Sequence, residues 1–220
     1  MATSQIKCPT CGQLQDVAIV CAGCGAPLAA SVDWFAALGL PRRLTISDAA
    51  LERVYHNLGR RIHPDRFAQS PVALRDASMR ATATLTRAYR VLRDPVSRGL
   101  YWLELHGHKL SENNQTVPPE LAELVFETQE QLAELRAARE HNNREAESMA
   151  AEVAQRRGEL DASIEALHAE LARNLAGFDD DEGGRREALF AELKVILSKI
   201  AYLRTLLRDV ERGLETAKAA

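Results

Sequence analysis

Apolar residues recur at helical spacing through most of this 220-residue chain. Leu51, Val54, Tyr55, Leu58 and Ile62 follow one another in steps of three, one, three and four, the pattern of one helix face. The opposite face carries Arg53, His56, Arg60 and Arg61. Proline disfavours helical geometry in the residue before it, so Pro64 predicts a helix end at about His63. A second amphipathic segment is expected over residues 76–92, with Leu85, Ala88, Tyr89 and Leu92 on one face. Together the two predict an antiparallel helical hairpin with His63-Pro64-Asp65 exposed at its tip. Shorter helices are expected on either side. One follows Asp33, its cap, and ends at Gly39 and Pro41. The next helix has Thr45 or Ser47 as its cap, and the last opens at Asp94-Pro95 and contains Tyr101 and Trp102.

Beyond residue 105 the pattern changes. His106 to Gln115 is polar and aperiodic, and reads as a linker in which His106 and His108 form a solvated pair. Val117-Pro-Pro-Glu120 then opens a helix, with proline tolerated in the first turn. Three long apolar stripes follow. The first runs from Leu121 through Leu124, Val125, Thr128 and Leu132 to Leu135, and the second from Met149 through Leu160 and Leu171 to Leu175. The third, Leu189 to Leu214, alternates steps of four and three, the seam of a bundle. Asp179-Asp-Asp-Glu-Gly-Gly184 separates the last two stripes. A softer break at His141-Asn-Asn143 leaves the first two helices running on or kinking there. An antiparallel three-helix bundle closes this pattern, so the fold class is all-α.

The cysteines add a module that periodicity does not reveal. All four lie in two pairs, Cys8-Pro-Thr-Cys11-Gly12 and Cys21-Ala-Gly-Cys24-Gly25. Each pair can form a tight knuckle aiming two thiolates at one ion, and the glycine after it tolerates the backbone angles a knuckle requires. Four thiolates without a neighbouring histidine fit Zn²⁺, with iron as the alternative metal. Disulfides suit a chain lacking an export signal poorly, and a redox pair usually comes singly. A segment of roughly 30 residues buries too little to fold alone, so the ion must supply much of its folding energy.

Charge is unevenly placed. Residues 33–105 hold twelve arginines, no lysine and seven acids, whereas residues 116–220 hold fourteen basic and twenty-two acidic residues. A basic front and an acidic back suggest two domains with different partners. Without a basic stripe interleaved with aromatics, a nucleic-acid partner is not expected. No apolar run reaches the roughly 18–20 residues of a membrane span, and Met1 to Lys7 lacks the apolar core of a secretion signal. The expected location is cytoplasmic. His63 and Asp65 suggest acid–base chemistry at first sight, but Pro64 is expected to hold them apart on a loop without a nucleophile. No catalytic residue is assigned.

The helical hairpin, the tripeptide, Asp33-Trp-Phe-Ala-Ala-Leu-Gly-Leu40 before it and Ala88-Tyr-Arg-Val-Leu-Arg-Asp-Pro95 after it resemble a J-domain. Gly99-Leu-Tyr-Trp-Leu-Glu-Leu-His-Gly107 and Phe126-Glu-Thr-Gln-Glu130, on an acidic helical back half, narrow the resemblance to the HscB-type co-chaperones of iron–sulfur cluster assembly. Some members of that family also begin with two CxxC pairs.

The resemblance implies a four-cysteine, zinc-ribbon-like module over 1–30, a J-domain over 32–105, a linker over 106–117 and a scaffold-binding bundle over 118–218. It further implies that His63, Pro64 and Asp65 dock on a DnaK/HscA-class chaperone and stimulate its ATPase. Arg53, Arg60, Arg61 and Arg66 would supply electrostatic contacts, with Arg66 in place of the commoner lysine. A patch at Ala122, Glu123 and Phe126 would bind the cluster-scaffold protein, although Ala122 and Glu123 are less apolar than the family's usual residues. On this reading the protein activates a partner's ATPase rather than acting as an enzyme. The alternative is a general J-domain co-chaperone serving other clients.

Overall fold

The computed structural model describes residues 5–29, 33–110, 117–141 and 145–215. Part of the linker predicted over 106–117 and the soft break at Asn142-Asn143 lie outside the described residues. The chain divides into two compact units, Met1–Tyr101 and Trp102–Ala220.

The first unit opens with a small antiparallel hairpin, β1 (Gln5–Lys7) and β2 (Leu14–Asp16), in which Ile6 faces Gln15. This sheet was not expected from the sequence. Its strands have three residues each, too few to establish an alternating pattern. Helices follow: α1 (Trp34–Leu38), α2 (Asp48–Ile62), α3 (Val72–Arg93) and α4 (Pro95–Leu105), whose last turn belongs to the second unit.

Local chemistry explains most of their ends. Asp33 accepts from the Ala36 N–H at 2.9 Å and so caps α1. Gly39 closes the helix with φ 65°, a left-handed conformation that costs glycine no Cβ clash. Ser47 stands at the cap position of α2, but its hydroxyl makes no capping bond. Helix α3 starts at Val72, a turn before the predicted residue 76, because Pro71 can stand at the entry of a helix that its φ pre-sets. Asp94 accepts from the Ser97 N–H at 2.9 Å and so caps α4.

Helix α3 packs against both α1 and α2. Phe35, Leu38, Leu44, Leu51, Ile62, Leu85 and Leu92 are all buried. Tyr55 stacks on Tyr89 with ring centroids 4.2 Å apart, fastening α2 to α3. Tyr101 tethers α1 by accepting from the Trp34 N–H at 3.0 Å.

In the second unit a turn of 3-10 helix at Pro119–Leu121 leads into α5 (Ala122–Glu140), followed by α6 (Ala146–Asp180) and α7 (Arg186–Glu215). Each of the three long helices packs on the other two, which makes the expected bundle. Its core joins Leu132 and Leu135 of α5, Val153, Leu160 and Ile164 of α6, and Leu203, Leu206 and Val210 of α7. At the other end of the bundle, Phe190 packs 4.9 Å from Phe178, and Trp102 approaches Phe178 edge-on at 6.0 Å. His106 and His108 are not a solvated pair. Their rings lie 5.2 and 4.1 Å from Phe190, and His106 Nδ1 is 2.9 Å from the Trp102 carbonyl oxygen.

Candidate metal centre and docking tip

Two knuckles of nearly identical build hold the cysteines. Gly12 donates to the Cys8 carbonyl at 2.9 Å and Gly25 to the Cys21 carbonyl at 3.0 Å. Both glycines have positive φ, 77° and 73°, so a side chain at either position would be strained. Cys8 and Cys21 are buried, whereas Cys11 and Cys24 are exposed. The four sulfurs lie within 4.8 Å of one another.

Two close pairs are drawn from opposite knuckles: Cys8 Sγ is 3.7 Å from Cys24 Sγ, and Cys11 Sγ is 3.7 Å from Cys21 Sγ. A tetrahedral ion with metal–sulfur bonds of about 2.3 Å separates its ligands by about 3.8 Å. The donor set therefore fits such an ion, and all four cysteines could hold it. Apolar cover comes from Ala26 and Leu28, with Ile6 and Leu74 packed against them.

The thiols are not equivalent. Burial pushes the Cys8 thiol up, but the N–H groups of Cys11 and Thr10 and the neighbouring sulfurs outweigh it and bring Cys8 down to about 6. Cys21 is lowered too, chiefly by the Cys24 N–H. At Cys24 the Ala26 N–H lowers the value, yet burial and the three surrounding sulfurs push it up to about 12. A thiolate forms least readily where a neighbouring sulfur already carries negative charge. A divalent ion resolves that repulsion.

The tripeptide lies at the far end of α2. His63 and Asp65 are exposed at the side-chain level, 56% and 91%. Pro64 starts a 3-10 turn over Pro64–Phe67, and His63 Nδ1 accepts from the Asp65 N–H at 3.3 Å. The turn folds the two side chains together, so that His63 Nδ1 is 3.5 Å from Asp65 Oδ2. This corrects the expectation that Pro64 holds them apart. The Arg66 N–H donates to the His63 carbonyl at 3.0 Å, and Arg66 Nη1 donates to the Arg60 carbonyl at 3.1 Å. Ser78 Oγ donates to the Ile62 carbonyl at 2.6 Å and Thr82 Oγ1 to the same oxygen at 3.4 Å, which anchors the end of α2 from α3.

Arg53, Arg60, Arg61 and Arg66 are all exposed. Arg60 and Arg66 line, with His63, Tyr55, Gly59 and Thr86, a groove of about 530 Å³ between α2 and α3. Arg53 lies about two turns before Arg60 on α2 and is not among the groove residues.

On α5, Ala122, Glu123 and Phe126 are exposed on one outward face, and Phe126 is 70% exposed. Val195 of α7, 49% exposed, is a further outward apolar residue that sequence reasoning missed. It falls beside Ile196, off the alternating stripe, and that offset is the signal that would have found it.

No family model matches the chain. It is similar to a co-chaperone protein HscB homolog of Azoarcus sp. (strain BH72), 39% identical over 109 residues, 49% of this chain and 62% of that protein. The chain therefore spans less than two thirds of that relative in the alignment. A co-chaperone protein HscB homolog of Cupriavidus taiwanensis is 33% identical over 162 residues, 73% of this chain and 88% of the relative. The crystal structure of human co-chaperone protein HscB superposes with a TM-score of 0.68 at 25% identity, covering 97% of this chain and 99% of the human one.

Proposed function

The chain belongs to the HscB co-chaperone family, and from that premise we propose that it stimulates the ATPase of a DnaK/HscA-class chaperone and delivers an iron–sulfur cluster scaffold protein to it. The labour divides between two helical parts of the chain. Residues 32–105 act as the J-domain that recruits the chaperone, and residues 118–218 carry the scaffold.

The observation that carries this reading is the state of the tip. His63 and Asp65 project into solvent on either side of a half-buried Pro64, yet the backbone beneath them is fixed by Ser78 and Thr82. An exposed motif on an anchored loop loses little conformational freedom when a partner binds. Arg60 and Arg66 beside it, with Arg53 and Arg61 along α2, form a cationic surface that steers an acidic partner and raises the association rate more than the final affinity. Phe126 supports the scaffold role, since an aromatic left mostly in water on a helix face is more stable when covered. The chemistry belongs to the chaperone, whose ATPase the tip activates. The cargo cluster is the scaffold's, and it is distinct from the N-terminal ion, which we assign as zinc from its four thiolate donors.

The test uses the purified chain with a DnaK/HscA-class chaperone and a cluster scaffold. His63→Gln is expected to abolish stimulation of ATP hydrolysis while leaving helicity and melting temperature unchanged. Stimulation that survives this substitution removes the proposal. Recovery of the scaffold in a pull-down with the full chain separates cluster delivery from service to other clients.

A further inference from the structure

One cleft in the first unit is shared by the cysteine module and the base of the J-domain tip. Its volume is about 280 Å³, and Cys24 and Ala26 face Arg61, Arg66, Phe67 and Leu74 across it. Among its lining residues, Arg61 and Arg66 are the charged side chains, and Cys24 is the one group able to carry negative charge once it is a metal ligand. No described ion pair gives either arginine a carboxylate partner. Arg66 spends one N–H on the Arg60 carbonyl, which leaves the rest of its planar fork unused by that bond.

A divalent ion with four thiolates carries a net charge of minus two. That charge is only half covered, because Cys8 and Cys21 are buried and Cys11 and Cys24 are exposed. We propose that Arg61 and Arg66 are the counter-charges of the metal-loaded cysteine site, so that this site and the chaperone-docking tip share two cations. The geometry runs in both directions. Arg66 lines the cleft with Cys24 and also the groove with His63, and its N–H is bonded to the His63 carbonyl. An acidic partner that draws Arg61 and Arg66 toward itself must therefore loosen the ion, and by thermodynamic reciprocity the loaded ion must weaken the partner by the same factor. The inference rests on the reading of the cysteines as a zinc site.

The experiment is a chelator competition for Zn²⁺ on the full-length chain at low and high salt. Arg61→Gln and Arg66→Gln are each expected to lower zinc affinity roughly two- to five-fold at low salt, the scale of an exposed ion pair. Arg66→Lys, which keeps the charge, is expected to restore most of the loss. Arg80→Gln, elsewhere on α3, is expected to bind zinc as the unaltered chain does. In roughly 1 M salt, where the screening length falls to about 3 Å, the differences should collapse. Glutamine variants with unaltered zinc affinity at low salt, or a loss that persists undiminished at high salt, overturn the proposal. An unaltered chain that takes up no zinc removes the metal reading and this proposal together, whereas zinc-binding variants indistinguishable from the parent remove this proposal alone.

Discussion

Ser78 Oγ donates a 2.6 Å hydrogen bond to the carbonyl of Ile62, the last residue of α2. Ser78 is wholly buried, as is Ile62. A carbonyl at a helix C-terminus has no partner within its own helix, and here α3 supplies one. The residue that follows is His63, so the bond sets where the tip begins.

Ser78→Ala should therefore act on function through position. The loss of the hydroxyl is expected to cost about 1–3 kcal/mol in unfolding free energy, because a buried acceptor loses its principal donor and keeps the longer Thr82 bond. Chaperone stimulation should fall although His63, Pro64 and Asp65 are all present. Denaturant unfolding together with an ATPase assay checks both halves. Full stimulation with reduced stability would show that the anchor serves the fold and not the tip.

Phe126→Ala should separate binding from folding. The ring is 70% exposed, so its removal is expected to change stability by no more than about 0.5 kcal/mol. Scaffold affinity, measured by calorimetry, should drop at least several-fold. Leu132→Ala, one to two turns along the same helix but fully buried in the bundle core, should instead cost about 2–5 kcal/mol. A Phe126→Ala chain that binds the scaffold normally would move the docking surface elsewhere on the bundle.

Chelation should unmake the N-terminal module while sparing the helices. Proton release is expected on zinc uptake, because Cys24 is held up to about 12 and is a protonated thiol at neutral pH. Affinity must then fall as pH falls, since protons compete with the ion for the sulfurs. Titration in weak buffer with a pH indicator measures the protons released. Amide exchange should become fast over 5–29 on adding chelator and remain slow in α5, α6 and α7.

Gly213→Ala probes a close approach inside the bundle. A Cβ there would stand 2.6 Å from Leu132 Cδ2, and Arg139 Nη1 donates to the Gly213 carbonyl at 2.6 Å. Alanine normally favours a helix over glycine by roughly 0.5–1 kcal/mol. Here crowding should reverse the sign and destabilise by about 1–3 kcal/mol. A raised melting temperature would mean that Leu132 finds another rotamer at little cost.

The long elements were legible because their periodicity extends over many turns. The stripe from Leu189 to Leu214 predicts α7 nearly residue by residue. The four-cysteine set was legible from spacing, and the tip from Pro64 acting on the helix before it. What stayed hidden was set by tertiary approach. Nothing in the order of residues announces that His108 lies against Phe190, that Asp65 folds back to His63, or that Arg61 and Arg66 share a cleft with Cys24. The hairpin β1–β2 was hidden for another reason. Its short strands are positioned by the knuckles between and after them, through bonds such as Cys8 N–H to the Gln13 carbonyl at 2.8 Å.

The crossed arrangement of sulfurs has a kinetic meaning. Cys8 lies 3.7 Å from Cys24 and Cys11 3.7 Å from Cys21, each across from the opposite knuckle, and either knuckle alone supplies only two of the four ligands. Capture must bring together parts of the chain 16 and 10 residues apart in sequence. An ion arriving before the loop closes meets two sulfurs and leaves easily; one arriving as it closes is retained by four. Maturation of this segment during synthesis is therefore expected to wait for Cys24 to emerge, and then to complete in a single step.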